Sequence, residues 1–192
     1  MIKAVIFDCF GVIIADGLEA VLLRLEQSDP SARGFVREII HKVNRGQLSP
    51  RESHYLISQH LGMSSEKWQQ GIRSGEVRNQ YVIDLILELR KTYRTGLLSN
   101  VGKGGLSLRF SDAELQRLFD EVVISADVGL MKPEAEIYEL AAQRLGVLPA
   151  ECVFIDDRQP YVDGARRAGM QAILYQNFDQ LKANLKKLLI ED

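Results

Sequence analysis

The side chains of this sequence that could do chemistry together stand directly after short apolar runs or where a loop meets a helix. They comprise three carboxylates, one amine, one hydroxyl and one amide. Paired carboxylates suit Mg²⁺, which keeps water molecules for a phosphate, and a carboxylate can also act as a nucleophile. An amine neutralises a carboxylate or a phosphoryl oxygen, and a hydroxyl with backbone amides can hold the remaining oxygens. The residues are Asp8, Ser99, Asn100, Lys132, Asp156 and Asp157.

Alternating strand-like and helix-like segments predict how these groups are positioned. Short runs of apolar residues predict buried strands, and segments with apolar residues at helical spacing lie between them. This alternation predicts an α/β fold with a parallel sheet flanked by helices. The carboxyl ends of parallel strands share one edge, where ligands bind, so we expect the six residues to meet in one cleft. The predicted strands are 3–7, 94–98, 121–125, 152–155 and 172–175, and the helices between and after them are 81–93, 111–119, 133–145, 161–168 and 179–190.

Residues 15–79 interrupt the alternation, because no strand-like run occurs there. The segment has the spacing of several helices, and Ser49 followed by Pro50 is typical of a helix start. Its two junctions would let it rock over the sheet edge as a lid. We therefore predict a catalytic core of residues 1–14 and 80–192, with a small helical cap of residues 15–79 inserted after the first strand.

Bulk composition argues against two classes of partner. The chain has 192 residues and a net charge of −2, so neither nucleic acid nor a membrane surface is expected to bind it. Its two cysteines, Cys9 and Cys152, lie in separate strand-like runs, and no leader sequence or run of transmembrane length is visible. We expect a cytoplasmic protein with reduced thiols. The sequence does not indicate an oligomeric state.

Four motifs of the chain resemble those of the haloacid dehalogenase (HAD) superfamily. The resemblance covers the whole length and implies a HAD-like Rossmannoid parallel sheet, with the helical insertion in the position of a C1 cap. Residues 125–138 (SADVGLMKPEAEIY) further resemble a subgroup of sugar-phosphate phosphatases similar to α-glucose-1-phosphate phosphatase. The four motifs are residues 7–13 (FDCFGVI), 98–100 (LSN), 132–133 (KP) and 154–157 (FIDD).

The resemblance implies a role for each motif. Asp8 would be the nucleophile that forms an aspartyl-phosphate. Ser99 would bind the phosphoryl group with Asn100 beside it, and Lys132 would orient and neutralise that group. The activity implied is that of a phosphatase acting on a small phosphorylated metabolite such as a sugar phosphate.

The resemblance also implies a Mg²⁺ cofactor. Asp8, the main-chain carbonyl of Phe10 and Asp157 would be its ligands, and Asp156 would help either directly or through water. Phe10 is a departure from the family, because most HAD phosphatases carry a second Asp there as general acid and base. Such proton transfer is typically worth about 10²–10⁴ in rate, and a phenyl ring cannot provide it. Asp16 could substitute, although it lies in the predicted linker to the cap.

Three interpretations of this departure remain open. The first is a phosphatase that works without that acid, as relatives in the matched subgroup do. The second is a 2-haloacid dehalogenase, whose halide leaves without a proton, although such an enzyme does not need the metal pair Asp156 and Asp157. The third is a non-catalytic binding or regulatory protein, against which the intact Asp8, Lys132 and Asp157 argue.

Two polar segments have no role in this scheme. Arg45, Gln47 and Arg51 surround a turn of the cap that could touch a substrate, although a solvent-exposed turn is the better interpretation. Arg109 follows a glycine-containing linker after the second motif, and we assign it no chemistry.

Overall fold

One parallel sheet of five strands forms the centre of the computed structural model, which describes residues 1–190. Its strands are β1 (Ala4–Phe7), β2 (Arg94–Ser99), β3 (Glu121–Ile124), β4 (Cys152–Asp156) and β5 (Gln171–Leu174). The strand order is β3-β2-β1-β4-β5, and each neighbouring pair is parallel. Every residue of β1 and β4 is buried, which explains why both are nearly continuous apolar runs. The predicted α/β fold with a parallel sheet is confirmed.

Helices cover both faces of this sheet. Successive residues of β1 point to opposite faces, so Val5 and Phe7 share one buried cluster with Leu181, and Ile6 shares another with Tyr138. Each such apolar side chain contributes roughly 1.5–3 kcal/mol on burial. Within residues 1–190, no helix is both long and apolar enough to cross a membrane. The helices of the core are α5 (Gln80–Leu89), α6 (Asp112–Leu118), α7 (Ser125–Val128), α8 (Ala135–Arg144), α9 (Gln159–Arg167) and α10 (Phe178–Ile190).

Four helices between β1 and α5 pack around a hydrophobic cluster of their own. Leu22, Val36, Ile57 and Trp68, one from each helix, are buried in it. The third helix starts where its sequence indicates, because Ser49 forms a capping box with the N–H and side chain three residues later. We propose that this separately packed unit is the cap. Its helices are α1 (Gly17–Ser28), α2 (Pro30–Asn44), α3 (Pro50–His60) and α4 (Ser65–Arg73).

The chain enters and leaves the cap along two segments that lie side by side. The N–H of Ala15 donates to the carbonyl of Val77 at 2.9 Å, and the N–H of Asn79 donates to the carbonyl of Ile13 at 2.8 Å. These hydrogen bonds hold the two connections together directly above the carboxyl end of β1.

Several element boundaries differ from the predicted ones. Ser125 begins α7 instead of ending β3, and its hydroxyl accepts the N–H of Val101 at 3.0 Å. The next core helix starts at Ala135 because the residues before it form a turn. α9 starts two residues earlier than predicted, at Gln159, with Pro160 in its first turn, where no N–H donor is needed.

Candidate active site

Three carboxylates meet at the carboxyl edge of the sheet. Asp8 follows β1, Asp156 is the last residue of β4, and Asp157 comes next. Each offers an oxygen, and these oxygens lie within 4.8 Å of one another. A cavity of about 420 Å³ lies above this edge and extends under the cap, with Asp8, Ser99 and Lys132 in its wall. Of the six residues that the sequence predicts in one cleft, Asp8, Ser99, Asn100 and Lys132 line this cavity, and the two others lie beside Asp8.

Lys132 is buried between two of the carboxylates. Its Nζ lies 2.8 Å from Asp8 Oδ1 and 2.6 Å from Asp156 Oδ2. It also lies over the rings of Phe154 and Tyr161, at 5.2 and 4.9 Å from their centroids. Burial by itself would lower the pKa of Lys132, but Asp156 and Asp8 outweigh burial and hold that pKa above its ordinary value. The side chain is therefore a fixed positive charge beside Asp8.

Burial has the opposite effect on the carboxyl groups. It raises the pKa of Asp8 to about 7, against the opposing charge of Lys132. Burial, and then the neighbouring charge of Asp156, raises the pKa of Asp157 to about 6. Crowded acids retain protons because their charges are poorly solvated and repel one another, and a divalent cation relieves both effects.

The donor set fits Mg²⁺. Oδ1 of Asp157 is buried without a hydrogen-bond partner, as an oxygen reserved for a cation would be. Gly11 makes room for it: its φ is +97°, and a Cβ at this position would overlap the Asp157 carboxylate. Hard oxygen ligands of this kind are those that Mg²⁺ prefers.

Both carboxylate oxygens of Asp156 accept hydrogen bonds from other residues, which the sequence does not predict. Its Oδ1 accepts the N–H of Arg158 at 2.9 Å, and its Oδ2 accepts from Lys132. Each oxygen accepts one hydrogen bond, and contact with a cation, either directly or through water, remains a prediction. The carbonyl of Phe10 remains a predicted ligand.

Ser99 and Asn100 differ in what their side chains do. Oγ of Ser99 is buried and has no hydrogen-bond partner, so it is available to an oxygen of a ligand. Asn100 instead forms two hydrogen bonds with the backbone of Lys132: its Nδ2 donates to the carbonyl, and its Oδ1 accepts the N–H, both at 2.9 Å. The Asn100 side chain therefore positions the loop that carries Lys132.

Phe10 contributes to a wall of the cavity that sequence reasoning missed. The Arg109 guanidinium lies 5.3 Å from the centroid of the Phe10 ring. Nε of Arg109 donates to Glu76 Oε2 at 3.0 Å, and its NH1 donates to the carbonyl of Gly105 at 2.8 Å. The ion pair of Arg109 with Glu76 joins the linker after β2 to the end of the cap. No local sequence signal marks it, because Glu76 and Arg109 are 33 residues apart.

The cap turn at Arg45 also contacts the core. Arg45 forms an ion pair with Glu134, and its NH1 donates to the carbonyl of Gly129 at 3.4 Å. Glu134 Oε2 in turn accepts the N–H of Met131, next to Lys132, at 3.1 Å. Arg45 is thus occupied by the core and is neither a free polar turn nor a residue of the cavity wall.

Comparisons with known proteins agree with this arrangement. The family model for haloacid dehalogenase-like hydrolases matches residues 2–169. D-ribitol-5-phosphate phosphatase of Bacteroides thetaiotaomicron is 27% identical over 207 residues, which cover 98% of this chain and 99% of that protein. Bifunctional epoxide hydrolase 2 of Sus scrofa is 25% identical, and the chain spans only 39% of its length.

Solved structures share the same fold. A HAD-like family hydrolase from Porphyromonas gingivalis superposes with a TM-score of 0.81 and 26% identity, over 100% of both chains. A HAD family enzyme from B. thetaiotaomicron, in complex with magnesium and inorganic phosphate, has a TM-score of 0.75 and 24% identity over 92% of this chain and 95% of that one. Because the family model covers most of the sequence, this chain belongs to the haloacid dehalogenase-like hydrolase family.

Proposed function

We propose that this protein is a Mg²⁺-dependent phosphatase that hydrolyses a small phosphorylated metabolite through an aspartyl-phosphate on Asp8. The observation that carries the proposal is the placement of Asp8 between the fixed charge of Lys132 and the unpartnered oxygen of Asp157. A nucleophile, a fixed cation and an unpartnered carboxylate oxygen at one edge suit phosphoryl transfer, which depends on positioning and on neutralising charge.

The residues of the chain divide the work as follows. An Asp8 oxygen attacks phosphorus, the bond from phosphorus to the ester oxygen breaks, and that oxygen takes up a proton as the alcohol leaves. Lys132 and the Ser99 hydroxyl hold the phosphoryl oxygens as charge develops on them. Water then attacks phosphorus, phosphate leaves, and the Asp8 carboxylate is restored. When bound by Asp8, Asp157 and the Phe10 carbonyl, Mg²⁺ would keep Asp8 ionised and offset the negative charge of the phosphate.

A phosphorylated sugar or polyol is the substrate class we propose. The relative with matching length acts on D-ribitol 5-phosphate, as its name states. Cap residues with hydrogen-bonding side chains line the cavity beyond the phosphate position, among them His41, Asn44 and His54. A cavity of about 420 Å³ accommodates a small ligand of this kind.

A 2-haloacid dehalogenase is the second candidate, and Phe10 is the observation that favours it. A halide leaves without a proton, so an enzyme of this type has no use for an acid at position 10. The cluster of Asp8, Asp156 and Asp157 opposes this candidate, because displacement of a halide requires no cation ligands. A non-catalytic binding protein is the third candidate.

The test is a release assay with a matched pair of variants. Purified protein is supplied with para-nitrophenyl phosphate and a panel of sugar and polyol phosphates, with Mg²⁺ or with a chelator. We expect phosphate release that requires Mg²⁺, is abolished in Asp8→Asn, and is unchanged in Asp179→Asn, which alters an exposed acid on α10. Metal-independent chloride release from 2-chloropropionate would instead establish a dehalogenase. If no product forms in any assay, a non-catalytic binding protein is the remaining candidate.

A further inference from the structure

The proposed reaction needs a proton donor at its first step and a proton acceptor at its second, and Phe10 can be neither. The departing alkoxide of a sugar phosphate is a strong base that leaves far more readily as an alcohol, and the attacking water must lose a proton. A group that performs this transfer has to lie in the wall of the cavity and be free to change its protonation.

Three carboxyl groups besides Asp8 line the cavity. Glu19 is paired with Arg37 at 2.9 Å, and Glu76 is paired with Arg109. Asp16 is the remaining one, and it forms no ion pair with any residue between 1 and 190. An acid held as a carboxylate by arginine is a poor proton donor, so the pairing singles out Asp16.

The backbone fixes Asp16 where the cap joins the core. Ala15 before it is hydrogen-bonded to Val77 in the returning segment. Gly17 after it lies so close to the carbonyl of Ile72 that any Cβ would overlap that oxygen. Oδ1 of Asp16 accepts the N–H of Glu19 at 2.9 Å, which holds the carboxyl in place. These contacts fix Asp16 at the junction between the core and the first cap helix.

Electrostatics support the same position. Asp16 and Asp8 lie in the wall of the same cavity. Burial and the charge of Glu19 raise the pKa of Asp16, while Arg158 and hydrogen bonds to the backbone oppose them. His54, which also lines the cavity, differs from Asp16. Burial and then the charge of Arg73 lower the pKa of His54, so His54 holds a proton less tightly than an ordinary histidine does. A half-buried acid that holds its proton above the ordinary range is suited to donate it.

We propose that Asp16 is the general acid and base of this enzyme, in the role that Phe10 cannot fill; this inference rests on the proposed phosphatase function. As the Asp8 oxygen bonds to phosphorus and the ester bond breaks, the Asp16 carboxyl gives its proton to the departing oxygen, and the alcohol is released. The Asp16 carboxylate then takes a proton from water as that water attacks phosphorus. Phosphate leaves, and both aspartates return to their starting states.

A structural role for Asp16 predicts different behaviour from a chemical one. Asp16 is the N-cap of α1, and Asn and Ser cap a helix about as well as Asp. The variants Asp16→Asn and Asp16→Ser therefore retain the cap but remove the proton. Asp29→Asn is the matched control, because Asp29 caps α2 in the same way and is exposed outside the cavity wall.

The experiment compares kcat/KM, which reports the steps up to release of the alcohol, on two substrates. One is para-nitrophenyl phosphate, whose leaving group needs no proton, and the other is the most reactive alkyl phosphate in the screen. We expect Asp16→Asn and Asp16→Ser to lower kcat/KM about 10²-fold for the alkyl phosphate and far less for the aryl phosphate. The thermal midpoint should stay that of the wild type, and Asp29→Asn should change neither rate.

Each other result has a definite meaning. If the wild type hydrolyses both substrates and the Asp16 variants keep the wild-type ratio of rates, Asp16 is not the acid, although the phosphatase proposal stands. If the wild type hydrolyses aryl but no alkyl phosphates, the inference is also overturned, because no leaving group then needs the proton. If the wild-type protein hydrolyses neither substrate, the proposed phosphatase function itself is wrong.

Discussion

At the scale of single residues, the buried ammonium group of Lys132 organises the candidate site. Its side chain is about as inaccessible as that of Asp156, with 1% and 0% of the two exposed. Burying these charges is unfavourable unless each is paired, and the short distances to Asp8 and Asp156 provide the pairing. The same pairing makes the removal of any one partner costly, because it leaves the others charged and unsolvated.

We therefore expect Lys132→Met to lower the free energy of unfolding by about 3–5 kcal/mol near neutral pH. The loss should shrink at lower pH. Without the ammonium group, the pKa of Asp8 rises further above that of the unfolded chain. An acid whose folded pKa is raised is destabilising only where it must ionise, so stability falls as pH rises. Urea unfolding in a chelator at about pH 5 and about pH 8 measures the difference. The control is Lys103→Met, an exposed cation at the rim of the cavity; an equal loss at both pH values would contradict the argument.

Asp157 gives a second prediction. In the absence of metal, replacing Asp157 should raise the free energy of unfolding, whereas Lys132→Met lowers it. Its folded pKa of about 6 lies above the ordinary value of 3.8, so its ionisation weakens the metal-free protein as pH rises through that interval. Asp157→Asn removes the charge and should raise the metal-free free energy of unfolding above pH 7 by about 1 kcal/mol. It should also abolish the added stability that Mg²⁺ gives the wild type. Chemical unfolding with and without Mg²⁺ tests both effects, and a variant still stabilised by Mg²⁺ as much as the wild type would exclude Asp157 as a ligand.

The residues that sequence reasoning located are those whose position follows from the strand ends. Asp8 and Ser99 come directly after apolar runs, and the topology of a parallel sheet requires these ends to share an edge. What each side chain contacts does not follow from this rule. The occupation of the Asn100 amide by the Lys132 backbone, and the Glu76 and Arg109 pair, depend on loops whose paths are set by packing between distant segments.

At the scale of elements, the turn after β1 depends on one glycine. Gly11 has a φ of +97° and lies against the carboxylate of Asp157. Gly11→Ala should lower stability by roughly 1–2 kcal/mol for the left-handed backbone, and it should displace Asp157 in addition. We expect a loss of Mg²⁺ binding by titration calorimetry. Gly146→Ala is the control, because Gly146 has a φ of +70° with open space around it. It should share the backbone strain and bind Mg²⁺ normally, and weakened binding in both variants would show that strain alone is responsible.

The elements themselves were largely predictable, and their ends were not. All five strands lie within a residue or so of their predicted positions, because buried apolar runs are distinctive in sequence. The short α7 was missed, since its four residues, Ser125–Val128, are too few to show helical spacing. Its start is set by a hydrogen bond from Val101, a contact from another loop that the local sequence does not reveal.

At the scale of the whole molecule, ion pairs link the core to the cap and to the segment that returns from it. Arg109 reaches Glu76 on one side of the cavity, and Arg45 reaches Glu134 on the other. Gly46, next to Arg45, lies against the carbonyl of Ala126, where a Cβ would be crowded. The Arg45 contact is of special interest because Glu134 also accepts the N–H of Met131, next to Lys132.

We expect the ion pair of Arg45 with Glu134 to stabilise the closed arrangement, in which the cap lies over the cavity. A half-buried ion pair contributes up to about 1 kcal/mol, which corresponds to about a fivefold change in an equilibrium. A ligand enclosed by the closed cavity should therefore bind up to about fivefold more weakly to Arg45→Met. Titration of inorganic phosphate in the presence of Mg²⁺ measures this change. Lys42→Met is the matched control, because Lys42 lies in the last turn of α2, just before Arg45, and pairs with Glu38 inside the cap. Equal affinities in the wild type and Arg45→Met would show that the ion pair forms in both arrangements of the cap or in neither.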